Sequence, residues 1–433
     1  MTRRPNVLFI FSDQHRPQAM GCAGDPNVET PNLDRLAAEG LRFDRAYANT
    51  PICSPFRASL YTGQYSHAHG VISLHRPLLV RPQLAEVLSE HGYLTSHVGK
   101  WHLAGGAAPQ RFVSPFFRPG WCRWQGWENS NRFFTTDWHR GEWPHDVGQF
   151  DTFQTDALTD LTLEFLREQA CQPEQPWFHV LSAEPPHDPH VAPEEDMAAY
   201  RERPIIWRDN VPTDPDWRAQ VDARARGYYA QITNLDRNVG RILDELARNG
   251  QDRTTLVFYL SDHGELLGSH GMVSKSRPEE ESSRIPLIMR GPGVAGGRVT
   301  ESLISAVDLM PTLLGLLDLP IPAQVQGLDL SAMVSGTGPP ARTAVLLQFE
   351  QHFWPAQPEW RYRALITPRW VYTHFAQTGP TQLFDLHKDP LQMRNLVHES
   401  RHLPQRQQMR ALLERELTAV GDPYFTVATS GQQ

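Results

Sequence analysis

Four short apolar runs, at 7–11, 94–98, 177–181 and 256–260, alternate with stretches of helical period. A strand that is apolar at every position is buried on both faces, and a parallel sheet covered by helices on each side achieves this. The intervening stretches supply the helices. Asn32 can cap one that ends at Gly40, residues 83–91 form another that Gly92 stops, and 156–169 puts Leu158, Leu161, Phe165 and Leu166 on one face. Ile232, Leu235, Val239, Ile242, Leu243 and Leu246 form a longer stripe closed by Gly250. The expected fold class is α/β, a large, mainly parallel mixed sheet flanked by helices.

The residues that follow the apolar runs are polar. Asp13 follows the first, Lys100 and His102 the second, His187 the third, and Asp262 and His263 the fourth. Ligands of open α/β sheets bind beyond the carboxyl ends of the strands. Four strands that deliver charged and imidazole groups to one edge point to a single active site.

Composition sets limits on that site. A chain of 433 residues, 40% hydrophobic and 21% charged, can hold one large domain and a smaller one. A net charge of −8 offers no general attraction to nucleic acid or to an acidic membrane surface, so any anion site is local. Only three of the 41 basic residues are lysine, and two of them, Lys100 and Lys275, fall near the polar segments just named. The preference for arginine fits a GC-rich bacterial genome. Cys22, Cys53, Cys122 and Cys171 are widely spaced with no C-x-x-C pair, which argues against a zinc site and against a disulfide framework. The run at 7–11 is too short for a signal-peptide core, and no segment has the length of a membrane span. The expectation is a cytoplasmic protein with no nucleic-acid or membrane partner. The pattern carries no signal of oligomeric state.

Residues 111–145 differ in character. They hold Trp121, Trp124, Trp127, Trp138 and Trp143 with five phenylalanines and no regular period. Two arrangements suit them, an irregular aromatic lid over the site or a satellite core beneath a loop. Residues 185–217, rich in proline and acid, form a second excursion. A Gly/Pro-rich stretch at 335–340 separates a catalytic domain, 1–335, from a C-terminal subdomain, 336–433.

The run Cys53-Ser54-Pro55-Phe56-Arg57-Ala58-Ser59-Leu60-Tyr61-Thr62-Gly63 resembles the signature of the sulfatases, formylglycine-dependent enzymes of the alkaline phosphatase superfamily. The match covers six positions at fixed spacing: Cys53, Ser54, Pro55, Arg57, Thr62 and Gly63. The resemblance extends along most of the chain. Pro5-Asn6-Val7-Leu8-Phe9-Ile10 leading to Asp13 is similar to the family's opening strand, and Pro185-Pro186-His187-Asp188-Pro189 to its middle. Asp262-His263-Gly264-Glu265 with Gly268, His270 and Lys275 resembles its second metal motif, and Leu383-Phe384-Asp385-Leu386 its C-terminal part. The family's C-terminal subdomain is α+β, an antiparallel sheet with a helix.

This resemblance implies a chemistry. A thiolate that attacked a sulfate ester would form an adduct with no easy release. In the family the cysteine is oxidised to formylglycine. Cys53-Ser54-Pro55-Phe56-Arg57 resembles the recognition sequence of the formylglycine-generating enzyme, which is the implied protein partner. Asp13, Gln14, Asp262, His263 and the modified Cys53 would hold one divalent metal. These mostly hard oxygen donors suit Ca²⁺, with Mn²⁺ or Mg²⁺ as competitors. Many members carry aspartate where Gln14 stands and asparagine where His263 stands. Arg57 and Lys100 would stabilise developing negative charge. His102 would assist the second hydroxyl of the hydrated aldehyde, and His187 and Lys275 would hold the sulfate and protonate the leaving oxygen. Asp262 is the nearest candidate to accept the attacking proton.

The expected function is hydrolysis of a sulfate monoester to alcohol and inorganic sulfate, as in arylsulfatases. The substrate would be small, an aryl or alkyl sulfate or a sulfated sugar, with Trp121, Trp124 and Trp127 as candidates to touch it. Phosphonate monoester and phosphodiester hydrolases of the same superfamily are the alternative. They resemble this chain at Gln14 and His263 but typically place neutral residues where Lys100 and His102 stand. A non-catalytic binder of sulfated ligands is a second alternative if Cys53 stays unmodified.

Overall fold

The four apolar runs lie side by side. In the computed structural model, which describes residues 4–106, 110–350 and 361–425, strands Thr255–Ser261, Asn6–Ser12, Trp177–Ser182 and Leu94–Lys100 are adjacent in that order and parallel. Ile10 pairs with Leu181 on one side and with Tyr259 on the other. Leu287–Arg290, Leu41–Phe43 and Arg298–Thr300 extend the sheet beyond Thr255–Ser261. Arg123–Trp127, Asp137–Arg140 and Val147–Gln149 extend it beyond Leu94–Lys100. Leu287–Arg290 and Asp137–Arg140 run antiparallel to their inner neighbours, so the sheet is mixed with a parallel centre.

Side chains alternate across the sheet and build two apolar layers. Phe9, Phe11, Phe178 and Phe258 face Phe56, Leu60 and Leu313 on the helices Cys53–Thr62 and Ala306–Leu316. Leu8, Ile10, Leu181 and Tyr259 face Leu158, Leu166, Leu235 and Val239 on the helices Gln154–Ala170 and Pro215–Arg248. The second of these helices runs for 34 residues, well beyond the stripe expected from its apolar spacing, and Asp214 caps it by accepting from the N–H groups of Asp216 and Trp217. The helix Leu84–Glu90 starts with a reciprocal Gln83–Glu86 capping box. Asn32 is not a cap. The helix Pro31–Glu39 begins after Thr30, and Asp236 of the long helix accepts from the N–H groups of Asn32 and Leu33 at 3.1 and 2.7 Å.

Part of the aromatic segment is sheet and core, while Phe116, Phe134 and Trp143 stay exposed. It contributes the strands Arg123–Trp127 and Asp137–Arg140, which are too short for their alternation to stand out from the flanking turns. Trp121, Trp124 and Trp127 pack inside the apolar layers on the two faces of the sheet, which makes them core rather than substrate contacts. Trp121 stacks on Phe178 and Trp124 on His97, while Trp127 Nε1 donates to Glu184 Oε1 at 3.1 Å.

Four antiparallel strands, Val345–Phe349, Tyr362–Ile366, Trp370–Phe375 and Gly379–Asp385, form the smaller subdomain. Leu346, Leu365, Tyr372 and Leu383 on one face pack against Met409, Leu413 and Leu417 of the helix Leu403–Val420. Val345, Leu347, Tyr362 and Ala364 on the other face meet Tyr47 and Ile52, immediately before Cys53. No helix among the described residues is long and apolar enough to cross a membrane.

Candidate active site

Cys53 opens the helix Cys53–Thr62, and Arg57 follows one turn later on the same face. Asp13 and Gln14 leave the end of Asn6–Ser12, and Asp262 and His263 leave the end of the neighbouring strand Thr255–Ser261. Gln14 takes a left-handed φ of 69°, which turns its backbone N–H onto Asp262 Oδ1 at 3.1 Å. Gly264 has to be glycine, because a Cβ there would sit 2.0 Å from the Glu281 carbonyl oxygen.

One donor atom from each of Asp13, Cys53, Asp262 and His263 lies within 4.8 Å of the others, and all four residues are buried. Cys53 Sγ is 3.3 Å from His263 Nε2 and 3.6 Å from Asp13 Oδ1. Arg57 Nη2 donates to Asp13 Oδ2 and Asp262 Oδ2, both at 3.3 Å. Its Nη1 donates to Ser182 Oγ at 2.9 Å and to the Lys100 carbonyl at 3.1 Å. Lys100 Nζ donates to Asp13 Oδ2 at 2.9 Å. Beside the thiol, Lys275 Nζ lies 3.6 Å from Sγ and donates to Gln14 Oε1 at 2.7 Å and His187 Nε2 at 2.6 Å.

Two expected residues sit less directly. The carboxamide of Gln14 bridges Lys275 and Glu265. His102 is joined to the centre through Lys100, two residues earlier. Its Nε2 is 3.4 Å from the Asn129 amide nitrogen, and its Nδ1 has no hydrogen-bond partner among the described residues. His67, His69 and His270 serve other contacts: the Val420 carbonyl, Ser59 and Glu281.

The electrostatics divide the two carboxylates. Burial, then the Asp13 charge, push the Asp262 carboxyl up to about 7. Burial acts the same way on Asp13, but Lys100, His187 and Lys275 outweigh it and hold Asp13 well below the ordinary range. Two buried carboxylates, an imidazole and the Cys53 side chain facing one point form a donor set that fits a divalent cation. Burial and the Asp13 carboxylate also push the Cys53 thiol up to about 12. Burial and Lys275 bring His187 down to about 4, so its ring is neutral. Nε2 then accepts from Lys275, and the ring proton sits on Nδ1, which donates to the Asp188 carbonyl at 2.6 Å.

Sequence reasoning missed three supporting residues, Ser182, Glu184 and Glu128, and gave Glu265 no role beyond its place in the second metal motif. Ser182 takes one arm of Arg57. Glu184, also just past a central strand, accepts from Ser130 and Asn131 N–H, both at 2.9 Å, and lies 3.9 Å from Lys100 Nζ. The strand-end rule that found Lys100 would have found Glu184. Glu128 accepts from Ala104 and Gly105 N–H at 2.9 and 3.0 Å and clamps the turn that carries His102. Glu265 holds Gln14.

Known proteins resemble this chain in sequence and fold. The family model described as Sulfatase matches residues 5–319, and that described as N-sulphoglucosamine sulphohydrolase, C-terminal, matches 268–419. The ulvan-active sulfatase of Formosa agariphila is 32% identical over 428 residues, across 97% of this chain and 82% of that protein. A Bacteroides fragilis crystal structure assigned as the sulfatase yidJ superposes with a TM-score of 0.90 at 29% identity, over 97% of each chain. The phosphonate monoester hydrolase of Agrobacterium radiobacter superposes with a TM-score of 0.77 at 26% identity, over 97% of this chain and 96% of that one. With most of its length matched in sequence and its site built at the strand ends described, the chain belongs to the sulfatase family of the alkaline phosphatase superfamily and is a sulfuric ester hydrolase.

Proposed function

We propose that this chain removes a sulfate ester from a sugar, using formylglycine made from Cys53 and one Ca²⁺ held by Asp13, Gln14, Asp262, His263 and the modified side chain. The observation that carries the reading is the position of Cys53 Sγ, with the Asp13–Asp262–His263 donors on one side and the Lys275 ammonium 3.6 Å away. The sugar class rests on the ulvan-active relative. As encoded, the thiol is a poor nucleophile, because a pKa of about 12 leaves almost no thiolate at neutral pH. Conversion by a formylglycine-generating enzyme removes that obstacle, and Sγ marks where the hydrate oxygens would stand. The hydrated aldehyde would supply one hydroxyl to attack sulfur as the S–O bond to the alcohol breaks, and a second whose deprotonation would re-form the aldehyde as the C–O bond to sulfate breaks. A divalent cation, when bound, acidifies the attacking hydroxyl and offsets charge on the sulfuryl oxygens.

The chain's own groups do the rest. Arg57 holds Asp13 and Asp262 in one orientation and leaves them facing the thiol position. Lys100 adds fixed positive charge where the sulfuryl group sits. Lys275 carries the proton for the leaving oxygen, and neutral His187 keeps its ammonium aimed by accepting from it. Asp262 takes the attacking hydroxyl's proton at its carboxylate, and His102 Nδ1, which has no hydrogen-bond partner among the described residues, takes the proton of the second hydroxyl.

Native-host protein should weigh about 18 Da less than the encoded chain by intact mass spectrometry. It should hydrolyse 4-nitrophenyl sulfate and sulfated monosaccharides. Full activity with unmodified Cys53 overturns the reading. Gln14, His263 and the Agrobacterium neighbour favour phosphonate monoester hydrolysis as a second reading. A higher kcat/KM for an aryl phosphonate monoester than for the aryl sulfate would put that reading first.

A further inference from the structure

Gln14 brings a carboxamide to the centre, and the two ends of that group differ chemically. An amide oxygen is an acceptor that can serve a cation, whereas the NH₂ is a donor that cannot. Gln14 Oε1 accepts from Lys275 Nζ at 2.7 Å, beside the thiol. Gln14 Nε2 donates to Glu265 Oε2. A lysine ammonium only donates and a carboxylate only accepts, so these partners admit one orientation of the amide.

Glu265 is itself held fast. It is fully buried. Its Oε1 accepts from Leu267 and Ser274 N–H at 3.0 and 2.7 Å. Arg224 lies alongside, with Nε 3.4 Å from Oε1 and Nη2 3.5 Å from Oε2. A buried carboxylate needs such partners, and together they hold Oε2 facing Gln14.

We propose that Glu265 is a positioning residue that makes Gln14 an oxygen donor to the metal. With glutamine at position 14 the centre has one carboxylate fewer. Glu265 takes the NH₂ end of the amide and so keeps Oε1 turned to the side of Lys275 and the thiol. An aspartate at 14 would instead set two carboxylates against each other.

The inference rests on the metal reading above, so the experiment separates the two. Chelator-treated full-length enzyme is titrated with Ca²⁺ and Mn²⁺, and affinity is read from the ion-dependent rise in melting temperature. Glu265→Gln should weaken ion affinity by about tenfold or more, the usual scale for a group that orients a ligand. In a Gln14→Ala background, where there is no amide to orient, the same change should alter affinity by less than about twofold. An equal loss in both backgrounds overturns the inference, since Glu265 would then act without Gln14. A responsive wild type matched by Glu265→Gln overturns it too, and leaves the metal reading standing. No response in the wild type overturns both. If Glu265→Gln does not fold, an atomic-resolution structure of the ion-loaded wild type decides, and Gln14 Nε2 turned away from Glu265 overturns the inference.

Discussion

Lys275 and His187 form a pair in which one member holds the proton and the other aims it. His187 is neutral because burial and the adjacent ammonium both disfavour its charge. The transferable proton therefore belongs to Lys275, and its value depends on how badly the leaving oxygen needs it. Lys275→Met should lower kcat about 10²- to 10⁴-fold for an alkyl or sugar sulfate. The loss should be much smaller for 4-nitrophenyl sulfate, whose phenolate leaves unaided. Steady-state rates on the two substrates check this, and equal losses would remove Lys275 from the proton-donor role. Arg57 works differently. It contacts Asp13, Asp262, Ser182 and the Lys100 backbone, and its planar fork is what lets one side chain span them.

The elements around the centre are tied down by buried carboxylates that accept backbone or side-chain donors. Glu128 does this for the turn carrying His102, and Glu184 for the turn after Arg123–Trp127. Glu281, on the short helix Glu280–Ser283, does it for the 208–210 loop. It accepts from Asn210 Nδ2 at 2.6 Å and Arg208 Nη2 at 3.2 Å and lies 3.6 Å from His270 Nε2. Burial opposes its ionisation, but His270, Arg208 and Asn210 outweigh this and bring its pKa from 4.5 to about 2. A carboxyl with a depressed folded pKa adds stability above its unfolded pKa and loses it as pH falls through the folded value. The window is therefore about pH 4.5 down to 2, and the contribution is on the order of 3 kcal/mol. Melting temperature should drop more steeply across that window in the wild type than in Glu281→Gln. Parallel curves would show that the pair adds no pH-dependent stability.

At the scale of the whole molecule, the two subdomains share structure just where Cys53 begins. Tyr47 and Ile52 lie in the same apolar cluster as Val345, Leu347 and Tyr362. Gln348 N–H donates to the Asn49 carbonyl at 2.7 Å, and Arg342 pairs with the buried Asp308. Ser276 N–H reaches back to the Pro51 carbonyl at 3.1 Å, which links the Lys275 turn to the same segment. The C-terminal sheet therefore supports the approach to the nucleophile. Full-length protein should unfold in a single calorimetric transition, and a chain ended after Gly338 should be aggregated or inactive because Tyr47 and Ile52 lose their cover. Two separated transitions, or an active truncated chain, would show that the sheet is an independent appendage.

Much of this was legible from the residues in order. The central strands announced themselves because burial on both faces leaves an uninterrupted apolar run, and the polar residue after each run marked the edge where the site forms. Lys100 and Asp262 could be picked out for that reason, whereas Cys53, Arg57 and Lys275 stood out through the resemblance of their short motifs to those of the sulfatases. Three things were decided only by the tertiary structure. The tryptophans at 121, 124 and 127 suit substrate contact by residue type, but the fold buries them, because whether an aromatic faces core or ligand depends on which strand lies beside it. The state of His187 was set by Lys275, 88 residues away, through charge and burial that no local pattern contains. The orientation of the Gln14 amide was set by Glu265, 251 residues away. Apolar period and spacing are properties of neighbours along the chain, whereas protonation, amide orientation and exposure are properties of neighbours in space.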